Sequence, residues 1–173
     1  MLLDALNHFQ TLDQTMNTTT FFTYCGALLV LGTAEFAQAQ PTIPDFGSAV
    51  FSNSLQIDNP YYPLVPSTTL IYDGVNTDPA TGETESEVIL IEVLNQTRTV
   101  AGIEARVVRD RVFLEGLLIE DTFDWYAQDD AGNVWYLGED VTDFHYDDGG
   151  NLIGTSHPGT WETGVDGALP GHI

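Results

Sequence analysis

From residue 68 onward, apolar and polar positions alternate in short runs broken by Gly, Asp and Asn, the two-residue period of β-strands. Thr68 to Val75 (TTLIYDGV), rich in β-branched and aromatic residues, predicts the first strand. Asn76 to Glu83 (NTDPATGE) is a loop by composition. Glu85 to Leu94 (ESEVILIEVL) has a fully apolar centre, as a central strand would, and Thr97 to Val100 continues it past a bulge at Asn95-Gln96. Ala101-Gly102 turns the chain into Ile103 to Asp110, where Ile103, Ala105 and Val107 share one face and Glu104, Arg106 and Asp110 the other. Arg111 to Asp121 predicts a hairpin turning at Glu115-Gly116, where glycine supplies positive φ. Phe123 to Gln128 and Asn133 to Gly138 flank a turn at residues 129–132. Val141 to Tyr146 and Leu152-Ile153 flank another at 147–150, and Gly159 to Thr163 adds a short strand. No long 3.6-residue period follows Gln40. The expectation is all-β: an antiparallel meander forming a curved sheet or partly closed barrel, preceded by a signal-peptide helix.

That helix comes from the N-terminal pattern. Phe21 to Leu31 (FFTYCGALLVL) is apolar, too short to span a bilayer, and is followed by Ala37-Gln38-Ala39, the small-residue pattern of a secretory cleavage site. Residues 1–15 read as an upstream extension, 16–39 as the signal peptide, 40–58 as a lead-in and 59–173 as a single β domain, with a C-terminus that suggests a shortened chain. The start is read as either Met1 or Met16. Cleavage after Ala39 would remove the lone Cys25 and leave a domain without disulfides in an oxidising compartment, secreted or periplasmic. Three prolines in Asn59 to Pro66 (NPYYPLVP) predict an extended, irregular entry to the fold.

Charge narrows the partners. Acidic residues outnumber basic ones 26 to 4, a formal net charge of -22, and the cations are Arg98, Arg106, Arg109 and Arg111. Such a chain has little to offer phosphates, which excludes nucleic acid and an anionic membrane surface. The 43% hydrophobic content supplies enough apolar surface for a core, so the acidity does not signal disorder.

The one internal repeat is Asp129-Asp130-Ala131-Gly132-Asn133-Val134 against Asp147-Asp148-Gly149-Gly150-Asn151-Leu152. Asp, Gly and Asn are turn residues, so the repeat reads first as two hairpin turns. Its oxygens also suit a pair of Ca²⁺ sites on Asp129, Asp130, Asn133, Asp147, Asp148 and Asn151, although no EF-hand spacing is present. Ca²⁺ is the only cofactor the sequence suggests. The aromatic cluster Trp125, Tyr126, Trp135 and Tyr136 sits on adjacent strands, either as core beneath a second layer or as a solvent-facing platform for a glycan, a small molecule or a protein. Glu120-Asp121, Asp124, Glu139-Asp140 and Asp143 would form glycosidase carboxylates if the sheet brought them together. Asp143, His145 and Asp147 alternate and should share a face, but no Ser or Cys has a nucleophile motif. The spacing of His145, His157 and His172 matches no zinc pattern. Asn95-Gln96-Thr97 is a glycosylation sequon.

NPYYPLVPSTTLIYDG (Asn59 to Gly74), RVVRDRV (Arg106 to Val112), DWYAQD (Asp124 to Asp129), GNVWYLGED (Gly132 to Asp140) and WETGVDGA (Trp161 to Ala168) together resemble a family of uncharacterised exported bacterial proteins. Ser67 departs from the glycine usual there, and relatives continue into further strands. The resemblance implies export and brings no catalytic role. The functional expectation is an exported, non-enzymatic binding or interaction module; the alternatives are a glycosidase-like carboxylate hydrolase and a Ca²⁺-binding surface module.

Overall fold

The computed structural model describes residues 42–173. The upstream extension, the signal peptide and Cys25 lie outside the described residues. The sequence makes strands where it alternates and turns where it carries glycine, and the result is all-β. Strands β1 (Thr69–Thr77), β2 (Thr84–Val100), β3 (Ile103–Leu114), β4 (Leu117–Gln128), β5 (Val134–Tyr146) and β6 (Leu152–Ser156) pair antiparallel in sequence order as a meander curled into a half-barrel. Two short strands, β7 (Trp161–Glu162) and β8 (Gly171–His172), pair with β5 beside β6, so three successive segments line one edge of β5.

Several strands run longer than their sequence pattern suggested. β3 continues through Arg109-Asp110-Arg111, and β5 joins the two segments expected on either side of residues 139 and 140. Arg109 and Arg111 find Asp121 and Glu92 across the sheet, and Glu139 accepts from the Trp161 indole, so polarity does not end the strand. The expected turn at Glu115-Gly116 has φ of 49° and 80°, the two positive values of a type I′ hairpin. The expected irregularity near Asn95-Gln96 is a register shift between Val93 and Thr97. A second shift was not anticipated. Tyr126 stands opposite Tyr136, but Trp125 stands opposite Gly138, which leaves an extra residue on β5.

Alternation divides the side chains between two faces, and residues 42–68 cover part of both. On the first face Val100, Ala105, Val107, Trp125, Ala127, Trp135 and Leu137 form a core closed by Phe46, Ala49 and Phe51. A 3-10 turn over Phe46–Ser48, capped by the Asp45 carboxylate, sets Phe46 edge-on against Trp135 at 5.1 Å. On the second face Val93, Val108, Tyr126 and Val134 pack against Ile57, Tyr62 and Leu64. The residues before β1 thus supply the second layer that a sheet with two apolar faces requires.

Candidate functional site

Three of the four residues of the aromatic cluster are core. Trp125, Tyr126 and Trp135 are 3%, 8% and 2% exposed. Tyr136 is half-buried, stacked on Tyr126 at 4.8 Å and met edge-on by Trp161 at 5.3 Å. The two tryptophans lie on the first face, the two tyrosines on the second.

The repeated Asp-Asp-x-Gly-Asn segments share one hydrogen-bonded form. In each, the amide of the leading Asp donates to the carbonyl of the Asn four residues on, and its carboxylate caps the turn. Asp129 Oδ1 accepts from the amides of Ala131 and Asn133, and Oδ2 from the Asn133 side chain and the Trp135 indole. Asp147 accepts from the amides of Gly149 and Asn151 and from the Asn151 side chain. Burial works to raise the Asp129 pKa, but these bonds outweigh it and hold the carboxyl below its ordinary value. The Asp147 carboxyl is held low chiefly by the Asn151 amide and side chain. Asp130 is engaged as well, accepting from the amide and hydroxyl of Ser52. Asp148 is exposed at its turn. The carboxylates of Asp129, Asp130 and Asp147 accept from N–H and O–H donors of the surrounding backbone and side chains. This is the hydrogen bonding of hairpin turns, and among the described residues no group of three or more His, Cys, Asp or Glu is placed to hold a metal.

The expected Asp143–His145–Asp147 arrangement does not form either. Asp147 turns into its own loop, and His145 Nε2 meets Ser156 Oγ at 2.7 Å on an exposed surface. His157 Nδ1 donates to the Val141 carbonyl, and His172 lies against Trp135.

The carboxylate reading fares differently. Cross-strand pairs place Asp110 opposite Thr122, Asp124 opposite Val108 and Glu139, and Glu120 opposite Val112 and Asp143, all on the second face. Without the extra residue on β5, Asp124 would face Gly138; the bulge brings Glu139 onto its face instead. The Tyr136 hydroxyl lies 2.5 Å from Asp124 Oδ1 and 2.8 Å from Glu139 Oε2, and the Trp161 indole donates to Glu139 Oε1 at 3.1 Å. A phenol carries one hydrogen, so it cannot donate to both carboxylates. Burial pushes the Asp124 carboxyl up to about 7, with the charges of Glu139, Asp110 and Glu120 adding to the rise against the Tyr136 hydrogen bond. Burial also raises Asp110 to about 6, helped by Glu120. Asp110 Oδ1 is itself buried with no hydrogen-bond partner. A protonated Asp124 resolves the conflict: it donates to Tyr136, which donates to Glu139. The Tyr126 and Tyr136 phenols are raised, both chiefly by burial and then by Asp124, so they stay neutral.

The first face is electrostatically opposite. Arg109 grips Asp121 with two bonds of 2.8 and 2.7 Å, Arg111 meets Glu92 at 2.5 Å, and Arg98 reaches Glu162 at 2.6 Å while lying 3.9 Å over the Trp125 ring. Arg106 is on the second face but is buried, held by the carbonyls of Leu55 and Leu94 at 3.3 and 3.4 Å. All three ion pairs among the described residues therefore sit on one face.

At the far side of the sheet no described residue covers β1. Each of its nine residues is exposed, including Leu70 at 44%, Ile71 at 67%, Tyr72 at 54% and Val75 at 69%. Sequence reasoning found this strand but not its position at an edge, which depends on the pairing order of the whole sheet. Comparison with protein-family models, curated proteins and solved structures finds no match.

Proposed function

We infer that this is an exported, non-enzymatic binding module that takes an extended segment of a partner along β1. One observation carries the reading: β1 is a long edge strand, exposed throughout, with apolar side chains on both of its faces. Native sheets ordinarily shorten, charge or cover such an edge. Left open, it offers a row of backbone donors and acceptors plus side-chain contacts on two sides, the recipe for adding a strand from another chain. The signal-like segment at 16–39 and the resemblance to exported proteins support a site of action outside the cytoplasm. Strand-forming peptides of valine and threonine, mixed with the full chain at high salt, should slow amide exchange in β1. Unchanged exchange in β1 with every peptide would refute the reading.

A carboxylate hydrolase is the second reading, favoured by the Asp124–Glu139 juxtaposition. Against it, the Tyr136 phenol fills the space between the two carboxyls, where a glycosidase must admit the scissile bond. Turnover of a chromogenic glycoside that Asp124→Asn abolishes would restore this reading.

A further inference from the structure

We propose that the segment taken up by β1 is cationic, an inference that rests on the docking reading above. On the second face of the sheet, β1 shows Leu70, Tyr72, Gly74 and Asn76, with Ile91, Ile89, Glu87 and Glu85 across from them on β2. On the first face it shows Ile71, Asp73 and Val75, with Leu90, Val88 and Ser86 across. An incoming strand therefore meets apolar side chains over the first half of β1 and carboxylates near its middle. Asp73, Asp78, Glu83 and Glu85 are exposed around this edge, and residues 42–97 contain no Lys or Arg to neutralise them.

Two details sharpen the match. A Cβ built on Gly74 meets nothing within 4 Å, so a notch opens between Tyr72 and Asn76 with Glu87 directly across it. A long basic side chain opposite Gly74 can lie in that notch and reach Glu87. Its neighbour, opposite Asp73, gains from a positive charge on the other face. Both positions call for Lys or Arg, and their neighbours call for apolar residues.

A second copy of this chain is the obvious rival, and charge argues against it. Antiparallel self-pairing over the whole of Thr69–Thr77 would centre on Asp73 and place it opposite the same aspartate of the other copy. Like charges directly opposite destabilise a sheet, and each copy also carries a formal charge of -22.

The experiment uses the full chain and three nonapeptides of valine and threonine that differ only at two central positions: Lys-Lys, Thr-Thr or Glu-Glu. Affinity is measured for the wild type, for Asp73→Lys, and for Asp148→Lys, which makes the same charge change at an exposed turn away from β1. The dilysine peptide should bind at least tenfold more tightly than the dithreonine peptide, with slowed exchange in β1. Asp73→Lys should remove that advantage, and Asp148→Lys should leave it within twofold. Equal binding of all three peptides would overturn the cationic partner while leaving the docking edge in place. Failure of every peptide to protect β1 would overturn the docking reading itself. An equal loss in both variants would reduce the preference to the overall charge and overturn the site. A dimer in sedimentation that the neutral variant Asp73→Asn strengthens would put a second copy in place of the proposed partner.

Discussion

Asp124 on β4 and Glu139 on β5 are direct cross-strand partners, and both reach the same Tyr136 hydroxyl, at 2.5 and 2.8 Å. Two carboxyls on one phenolic oxygen, with only one phenolic hydrogen between them, make a place where burial favours a proton on Asp124 near neutrality.

That proton makes stability fall as pH rises. The carboxyls of Asp124 and Asp110 are raised to about 7 and about 6 from 3.8, so the native state binds protons that the unfolded chain has released. Their stabilising contribution is complete below pH 3.8 and is lost as pH climbs through 6 and 7. Asp129 and Asp147, held low, act in the opposite sense and lose their contribution as the medium becomes strongly acidic. The Tm maximum should therefore lie on the acid side of neutrality, as a pH series of thermal unfolding would show.

Asp124→Asn isolates the pair. It removes the charge while keeping the shape, so Tm at pH 8 should rise by several degrees, since each unit of pKa shift is worth about 1.4 kcal/mol. At pH 5 the variant should stay within about 2 °C of the wild type. Identical behaviour at the two pH values would mean that Asp124 does not hold the proton.

The two matching turns should differ in importance. Asp129 takes four N–H donors, one of them the buried Trp135 indole, whereas Asp147 caps an exposed loop. Asp129→Ala leaves that indole without a partner and should cost about 2–4 kcal/mol. Asp147→Ala should lower Tm by less than half as much. Millimolar Ca²⁺ at fixed ionic strength should move the wild-type Tm by less than about 1 °C.

Gly138 tests the bulge. Its φ is +145°, and an added Cβ would lie 2.5 Å from the Trp161 carbonyl oxygen and 2.9 Å from the Trp125 ring. Gly138→Ala should cost more than about 3 kcal/mol in denaturant unfolding. Gly154→Ala on β6, where a Cβ meets nothing within 4 Å, should stay within about 1 kcal/mol of the wild type. Comparable losses would place the constraint outside the bulge.

Strand positions and turn residues were legible in the sequence because alternation and Gly-bearing breaks are local signals. The Glu115-Gly116 hairpin and the Asn95-Gln96 irregularity needed nothing more. That neighbouring segments join was less legible: Ile103 to Asp110 and the first arm of the hairpin from Arg111 read as separate strands, and they run as one because Arg109 and Arg111 find Asp121 and Glu92 alongside. The covering role of Phe46, Phe51 and Ile57 was hidden too, since irregular segments bury side chains without any period. Asp124 and Glu139 were candidates from composition alone. Their pairing depends on one extra residue, Leu137, between Tyr136 and Gly138, which changes the count along β5 and which hydrophobic patterning does not report.

The two margins of the sheet are unequal. One is the uninterrupted nine residues of β1; the other is divided among β6, β7 and β8, of five, two and two residues. Growth is therefore one-sided. A strand added at β1 finds a long template, while the opposite margin offers none of similar length for the next molecule. Complexes built this way would stop at one partner per chain, and the asymmetry that would permit capture would also withhold the repeating contact a fibre needs.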